Sequence, residues 1–229
     1  MQTRFFGMFG LIVLTALLAF SQKSNKLDIR PYYFPYAQFL NPTVYAYERI
    51  GNTSGTNNLF YWYMVTVVNN KDTIFYTSSY SENFLLLDTM TERISKKGSE
   101  LVGFNYFDKH TRLTKTDVFK WKQAIKESIF FAYESGSTED ETVTEKKRTL
   151  TNASLEVMYN NKSYPAIEMT DVFTNRYKNG KPSTSFNRTC MYAKGIGLVQ
   201  FTNKLPEGNQ TLVLKKIYSE QEWEKLKRE

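Results

Sequence analysis

Few residues of this sequence carry the chemistry that catalysis needs. Its single histidine, His110, lies two positions after Asp108 in a polar run, and its single cysteine is Cys190. Nucleophilic catalysis requires a base beside the nucleophile, but the run around His110 is typical of a turn. Cys190 lies in the alternating run Arg-Thr-Cys-Met-Tyr, where we expect a buried structural thiol rather than a partner of His110.

Carboxylate pairs and bound metals are the other routes to chemistry. Glu48, Glu168 and Asp171 lie within apolar-rich segments; we expect them at exposed positions on alternating strand faces rather than paired for acid–base hydrolysis. The acidic run 136–141 lacks the alternating oxygen ligands of a calcium loop and is interpreted as a solvated loop. One histidine and one cysteine exclude a multi-histidine metal site and any cysteine-rich cluster. With no phosphate-binding loop or dinucleotide fingerprint either, we expect no cofactor.

Charge and composition narrow the class of partner. The chain has 229 residues, 30 Lys+Arg against 23 Asp+Glu, and an aromatic content of 16%, which is enough for a core of one domain. Its basic clusters, Lys96-Lys97, Lys146-Lys147-Arg148 and Lys215-Lys216, are short and dispersed. We therefore expect solvated charge on strand faces and no nucleic-acid partner.

Residues 1–21 have the layout of a secretory signal peptide. Arg4 gives a basic start, Phe5 to Phe20 is a nearly unbroken apolar run, and Ala19-Phe20-Ser21 provides small residues for cleavage before Gln22. The run is shorter than the ~20 residues of a membrane helix, and its cleavage site resembles those of Bacteroidota. We predict an exported protein, periplasmic or extracellular, that contacts the membrane only through this segment if it stays uncleaved.

Residues 22–42 form a proline- and aromatic-rich segment. Pro31, Pro35 and Pro42 disfavour a regular helix and favour extended backbone. We expect an extended arm whose rings pack on its own domain. The alternative is an arm that binds a partner.

Residues 43–218 are predicted to form one antiparallel β domain. Short alternating segments separated by Asn, Gly and Lys turns are typical of a mainly β or α+β sheet. The predicted strands are Thr43–Ile50, Leu59–Val68, Thr73–Ser79, Phe84–Ile94, Glu100–Phe107, Ser128–Tyr133, Val143–Leu150, Leu155–Tyr159, Ala166–Thr174, Ser185–Ala193, Gly197–Phe201 and Thr211–Tyr218. Residues 117–127 fit a helix and a strand equally well. In 219–229, Ser219 and Glu222 have the spacing of a capping box, which predicts a C-terminal helix.

The most characteristic motif is Tyr-Ala-Lys-Gly-Ile-Gly-Leu-Val at 192–199, with Tyr192, Gly195 and Gly197 as its structural positions. Glycine at these places permits a tight turn and a close backbone approach. The motif resembles one near the end of several uncharacterised families of exported bacterial β proteins. These include TapB-like proteins and families distantly similar to lipoprotein carriers. The resemblance implies a strongly curved sheet or an open half-barrel, and no catalytic residue.

The combination favours a non-enzymatic exported domain that binds an apolar or amphiphilic ligand or an envelope protein. The candidate ligand-lining positions are Phe60, Trp62, Met64, Phe104 and Tyr106, although such rings also fill cores. Two alternatives stay open: a hydrolase acting on envelope polymers, and a subunit of a surface assembly held by the arm.

Overall fold

The computed structural model describes residues 26–50, 59–69, 72–106, 109–135, 141–177 and 183–228. The predicted signal peptide, Asp108 and residues 136–140 of the acidic loop lie outside these residues.

The described chain is built almost entirely of antiparallel β-strands. They are β1 Leu27–Asp28, β2 Thr43–Ile50, β3 Leu59–Val68, β4 Thr73–Tyr80, β5 Leu86–Ile94, β6 Gly98–Tyr106, β7 Lys109–His110, β8 Arg112–Lys120, β9 Lys122–Gln123, β10 Ser128–Ser135, β11 Thr142–Tyr159, β12 Lys162–Tyr177, β13 Thr184–Ala193, β14 Gly197–Leu205 and β15 Gly208–Ser219. One α-helix, α1, follows at Glu220–Leu226. The predicted class, a mainly β antiparallel fold with a short C-terminal helix, is confirmed.

Twelve of these strands close into a barrel. Each long strand pairs with the next one along the chain, and β15 returns to pair with β2, from Thr211 opposite Ile50 to Ser219 opposite Thr43. The sheet therefore closes on itself and is not an open half-barrel. Closure removes the unpaired edges that a half-barrel would leave.

Two predicted boundaries were wrong for local reasons. The segments 143–150 and 155–159 belong to a single long strand, β11, because two register shifts between Leu150 and Leu155 let the strand bend without ending. Phe84 has a φ of +59° and belongs to a turn, so β5 begins at Leu86. In the ambiguous segment 117–127, strand β8 continues to Lys120, and the short strand β9 follows.

The proline-rich arm enters the barrel and is not extended throughout. It forms two 3₁₀ helices, Arg30–Tyr32 and Tyr36–Gln38, because Pro31 lies at the start of the first and Pro35 caps the second. Its rings Tyr33, Phe34 and Phe39 are buried in the main hydrophobic core. The rings are thus unavailable to a partner, as the packing interpretation required.

Helix α1 packs on the outside of the barrel. Ser219 accepts a hydrogen bond from the backbone N–H of Glu222, and the Glu222 carboxylate accepts one from the N–H of Ser219, so the predicted capping box is present. Trp223 is buried against Tyr61 and Phe84. No helix in the described ranges combines the length and the apolar character needed to cross a bilayer.

Candidate functional site

Strand register decides which side chains face the barrel interior. Residues directly opposite each other on paired strands point to the same side of the sheet. Arg148, Asp171 and Arg188 lie opposite one another on β11, β12 and β13, and Asn203 follows on β14. A row of polar side chains therefore lines the inner wall, and aromatic rings lie on both sides of this row.

The arm fills one half of this interior, here called the plugged half. Phe34 lies 5.9 Å from Phe75 and 5.8 Å from Tyr45, and Tyr33 lies 5.1 Å from Phe119, as distances between ring centroids. The backbone N–H of Thr66 donates to the Phe39 carbonyl at 2.7 Å. The arm is consequently part of the core and is held by both rings and backbone hydrogen bonds.

A buried carboxylate also holds the arm. The Tyr33 hydroxyl donates to Glu92 Oε2 at 2.8 Å, and the Ser99 hydroxyl donates to the same oxygen. Burial raises the pKa of Glu92, and these two hydrogen bonds oppose that shift. Glu92 is thus an acceptor for the arm, a structural role.

The glycine motif receives the arm from the opposite wall. The N–H of Gly195 donates to the Pro31 carbonyl at 2.8 Å. A Cβ on Gly197 would lie 2.6 Å from Phe34 Cδ1 and 3.0 Å from its Cα. Both glycines have positive φ, +77° and +98°, and Tyr192 packs edge-on against Phe119. Two glycines here allow the turn and let the arm approach the sheet.

Beyond the arm, the centre of the barrel holds a buried charge cluster. Arg148 donates to both carboxylate oxygens of Asp171, at 2.8 and 2.9 Å, and Lys146 Nζ lies 2.8 Å from Asp171 Oδ2. Burial alone would raise the pKa of Asp171, but Arg148 and Lys146 hold it well below its usual range. Burial, reinforced by Arg148, lowers the pKa of Lys146 to about 8.

This cluster corrects two expectations. Asp171 is fully buried rather than exposed, and Lys146 and Arg148 are also buried, whereas only Lys147 of that basic triplet faces solvent. Alternation along β11 puts residues 146 and 148 inside, where Asp171 forms an ion pair with each of them.

The other half of the interior, here called the open half, contains alternating rings and cations. Trp62 stacks on Phe201 at 6.0 Å. The Arg188 guanidinium lies 4.8 Å from the Phe201 centroid and 4.9 Å from that of Phe173. Lys146 Nζ continues the row, 5.0 Å from Phe173 and 5.1 Å from Phe131. We call this row the cation–ring ladder; its members are Trp62, Phe201, Arg188, Phe173, Lys146 and Phe131.

Burial separates the two halves. Inward-facing rings of the plugged half are fully buried, as shown by Tyr47, Phe75 and Phe119. Most of those of the open half are partly exposed, namely Phe60, Trp62, Phe104, Phe131, Tyr133, Phe173 and Phe186, and Tyr106 is 45% exposed, whereas Phe201 is buried. Solvent therefore reaches rings that point into the barrel.

Arg188 is the cation best placed to meet a ligand. Its Nε donates to Asn203 Oδ1 at 2.7 Å, and the side chain is partly exposed. Within the described ranges, no carboxylate lies at ion-pair distance from its guanidinium, in contrast to Arg148. Asp88 on β5 contributes a more distant negative charge; burial raises the pKa of this carboxyl, against the effect of its hydrogen bond with Ser79 and of Arg188.

The five predicted ligand-lining residues are all on inward-facing positions. Phe60, Trp62 and Met64 alternate along β3, and Phe104 and Tyr106 lie opposite Met90 and Asp88. Met64 is fully buried, so no ligand can contact it without displacing its neighbours. The other four lie in the open half, and their contact with a ligand stays a prediction.

The described residues assemble little catalytic machinery. No group of three or more His, Cys, Asp or Glu side chains among them could hold a metal ion. The Cys190 thiol lies 3.7 Å from Asp171, and burial raises its pKa to about 12. Glu48 pairs with Lys215, and Glu168 accepts a hydrogen bond from Thr151. These contacts favour structural roles for all three residues.

Sequence reasoning missed Lys146, Arg148 and Arg188 as interior residues. Each alternates with solvent-facing neighbours, and a pattern of period two does not say which face is inside. The pairing of Asp171 with Arg148 and Arg188 was the signal that could have found them, but it requires the register of three strands.

Comparisons with known proteins support the fold. The chain matches a proposed lipoprotein from Parabacteroides distasonis (TM-score 0.56, 8% identity, covering 82% of this chain and 98% of that one). It also matches a proposed exported protein with a YmcC-like fold from Bacteroides fragilis (TM-score 0.53, 10% identity, covering 82% and 99%). No family model and no curated protein matches. The likeness extends to the fold, and the TapB-like resemblance stays a prediction.

Proposed function

We propose that this protein is an exported, non-enzymatic β-barrel that binds an amphiphilic anion, of the fatty-acid type, in the open half of its interior. The observation that carries the proposal is the cation–ring ladder, which combines mostly partly exposed rings with the guanidinium of Arg188, a cation with no carboxylate at ion-pair distance among the described residues.

The rings suit the apolar part of such a ligand. Trp62, Phe173 and Phe131 point inward and remain partly exposed, so a bound hydrocarbon chain would remove their apolar surface from water. Burial of that surface contributes about 25 cal/mol per Å². Aromatic walls with a few placed polar groups are common in ligand sites.

The charges suit an anionic head group. Lys146, Arg148 and Arg188 bring three positive charges to one wall; Asp171 pairs with the first two and neutralises one charge, which leaves an excess of two. Arg188 is left to form charge-assisted hydrogen bonds, which its planar fork makes readily with a carboxylate or a phosphate. The rings on either side of the guanidinium lower the local dielectric constant, which strengthens that interaction.

The sequence supports export through the signal-peptide layout of residues 1–21. The two similar structures belong to a proposed lipoprotein and a proposed exported protein, which agrees with a place in the cell envelope. A carrier or receptor of envelope amphiphiles is the role that combines this location with the ladder.

Tryptophan fluorescence gives a direct test. Of the three tryptophans, Trp121 and Trp223 are fully buried, and Trp62 is partly exposed in the ladder. We expect 12-bromododecanoate to quench the fluorescence saturably through Trp62. The variant Trp62→Phe should lose this quenching while retaining binding by calorimetry.

The head-group role is tested by Arg188→Gln. Losing one charge-assisted contact should weaken binding roughly tenfold or more. The exposed Arg228→Gln is the matched control and should leave affinity unchanged. Absence of saturable quenching in the unmodified protein, or equal affinities for the two variants, would contradict the proposal.

A further inference from the structure

The plugged end of the barrel carries a second feature, a basic cleft outside the interior. It has a volume of about 470 Å³ and lies where the start of the arm meets the β5–β6 turn and the junction of β8 with β9. Its basic lining residues are Lys26, Arg30, Lys96, Lys97, Lys120 and Lys122. Three distant parts of the sequence thus bring their cations together.

The cleft has far more positive than negative charge. Six cations line it against two carboxylates, Glu100 and Asp117, an excess of four positive charges. Glu100 pairs with Arg93, a residue outside the lining, at 2.9 Å, and Asp117 pairs with Lys120 at 3.5 Å. Of the other cations, Lys26 pairs with Glu127.

Four cations of the cleft consequently have no carboxylate at ion-pair distance among the described residues. They are Arg30, Lys96, Lys97 and Lys122. Gathering like charges costs free energy that a dispersed arrangement would avoid. A cleft lined by one sign of charge also concentrates the field and attracts oppositely charged ligands.

The backbone beneath these cations is well fixed. The Trp121 N–H donates to the Lys97 carbonyl at 2.9 Å, and the Trp121 ring nitrogen donates to the Ser95 carbonyl at 2.8 Å. A Cβ on Gly98 would lie 2.0 Å from the Phe119 carbonyl oxygen, so glycine lets the turn approach β8. Arg30 lies over the Trp121 ring at 5.7 Å.

We infer that this cleft binds a small, multiply charged anion that carries at least two phosphate groups. Ammonium and guanidinium groups both bind phosphate well, and the volume is within the ordinary range for ligand pockets. The phosphates can belong to a soluble compound or to a lipid head group. The inference does not depend on the proposed interior site, because the arm fills the barrel between the two.

Calorimetry with inorganic pyrophosphate tests the inference on the full protein. We expect one site whose affinity falls as salt rises. The double variant Lys97→Gln/Lys122→Gln should bind at least tenfold more weakly. Lys147→Gln/Lys204→Gln removes the same charge from exposed positions elsewhere and should bind as the unmodified protein does. No binding, or equal weakening by both double variants, would overturn the site.

Vesicles distinguish the two sources of phosphate. Phosphatidylcholine vesicles with and without cardiolipin, a lipid whose head group carries two phosphates, are sedimented with the protein, in the presence and absence of pyrophosphate. Binding to the anionic vesicles that pyrophosphate abolishes identifies a lipid head group, and pyrophosphate binding without vesicle binding identifies a soluble ligand. Vesicle binding that neither pyrophosphate nor Lys97→Gln/Lys122→Gln reduces would overturn the assignment.

Discussion

The two halves of the barrel interior contain similar aromatic residues, but these residues have different roles in each half. In the plugged half, the arm brings Tyr33 and Phe34 against inward rings that are almost fully buried. In the open half, rings on the same inner wall remain partly exposed, and their neighbours are cations. An aromatic wall is therefore core where the chain supplies its own filler, and a candidate binding surface where it does not.

Truncating one ring in each half should give the largest difference in stability between the two halves. Phe34→Ala removes a buried ring and should lower the free energy of unfolding by about 3–5 kcal/mol. Phe173→Ala removes a partly exposed ring and should cost clearly less. Urea unfolding monitored by circular dichroism measures both, and equal losses would show that the halves do not differ in packing.

Two inward-facing carboxylates, Asp171 in the buried charge cluster and Asp88 in the open half, should also differ in their contribution to stability. Asp171→Asn leaves Arg148 and Lys146 without their counter-charge and should cost about 3–5 kcal/mol. Asp88→Asn replaces a partly exposed carboxyl by an amide that can still form a hydrogen bond. It should therefore lower the free energy of unfolding by less than about 1 kcal/mol. Thermal unfolding of the two variants at neutral pH compares them.

Acid should reduce the contribution of the Asp171 carboxylate to the stability of the fold. Its pKa is lowered in the folded protein, so its ionised form stabilises the fold above the unfolded pKa of about 4. That contribution is lost progressively as pH falls below this value. The stability gap between the unmodified protein and Asp171→Asn should therefore narrow below pH ~4, and a gap that widens there would contradict the assignment.

Substitutions of the two motif glycines test how closely the arm approaches the sheet in the plugged half. Gly197→Ala puts a Cβ against Phe34 and strains a positive φ, and should cost about 2–4 kcal/mol. Gly195→Ala adds a Cβ where no atom lies within 4 Å, so its positive φ alone should cost about 1–2 kcal/mol. Chemical denaturation measures the difference, and the reverse order would place the arm elsewhere.

The smallest expected effect concerns pH in the open half. The titratable groups that influence Lys146 are Arg148, Asp171, Cys190 and Arg188, of which the Cys190 thiol is neutral in this pH range. Because its pKa is about 8, Lys146 loses its charge as pH rises through that value, and affinity for an anionic ligand should fall severalfold between pH 7 and 9. The Lys146→Met variant should show a flatter profile by calorimetry over the same range.

Local sequence patterns predicted the strands and the C-terminal helix but not how they assemble. Alternation identified β2, β3 and β13 closely, and Ser219 with Glu222 identified the helix start. Closure of the barrel depends on pairing Tyr45 with Ile217, a contact between distant parts of the chain that no local pattern encodes. The path of the arm depends on that closure as well.

The candidate site was predictable in its rings and not in its charges. Phe60 and Trp62 were expected on the concave face because rings dominate that strand. Lys146 and Arg148 were not, because a run of basic residues is usually solvated, and their burial depends on Asp171 from another strand. The ladder forms because strand pairing brings these rings and cations to one wall, and residue type alone does not predict that arrangement.

A crystal structure of the protein with 12-bromododecanoate tests the central claim most directly. The anomalous signal of bromine locates the end of the chain, and the electron density locates its carboxylate. We predict a carboxylate at hydrogen-bonding distance from the Arg188 guanidinium, bromine within the open half, and an arm that has not moved. Bromine outside the barrel, or in the plugged half with Phe34 displaced, would contradict the account.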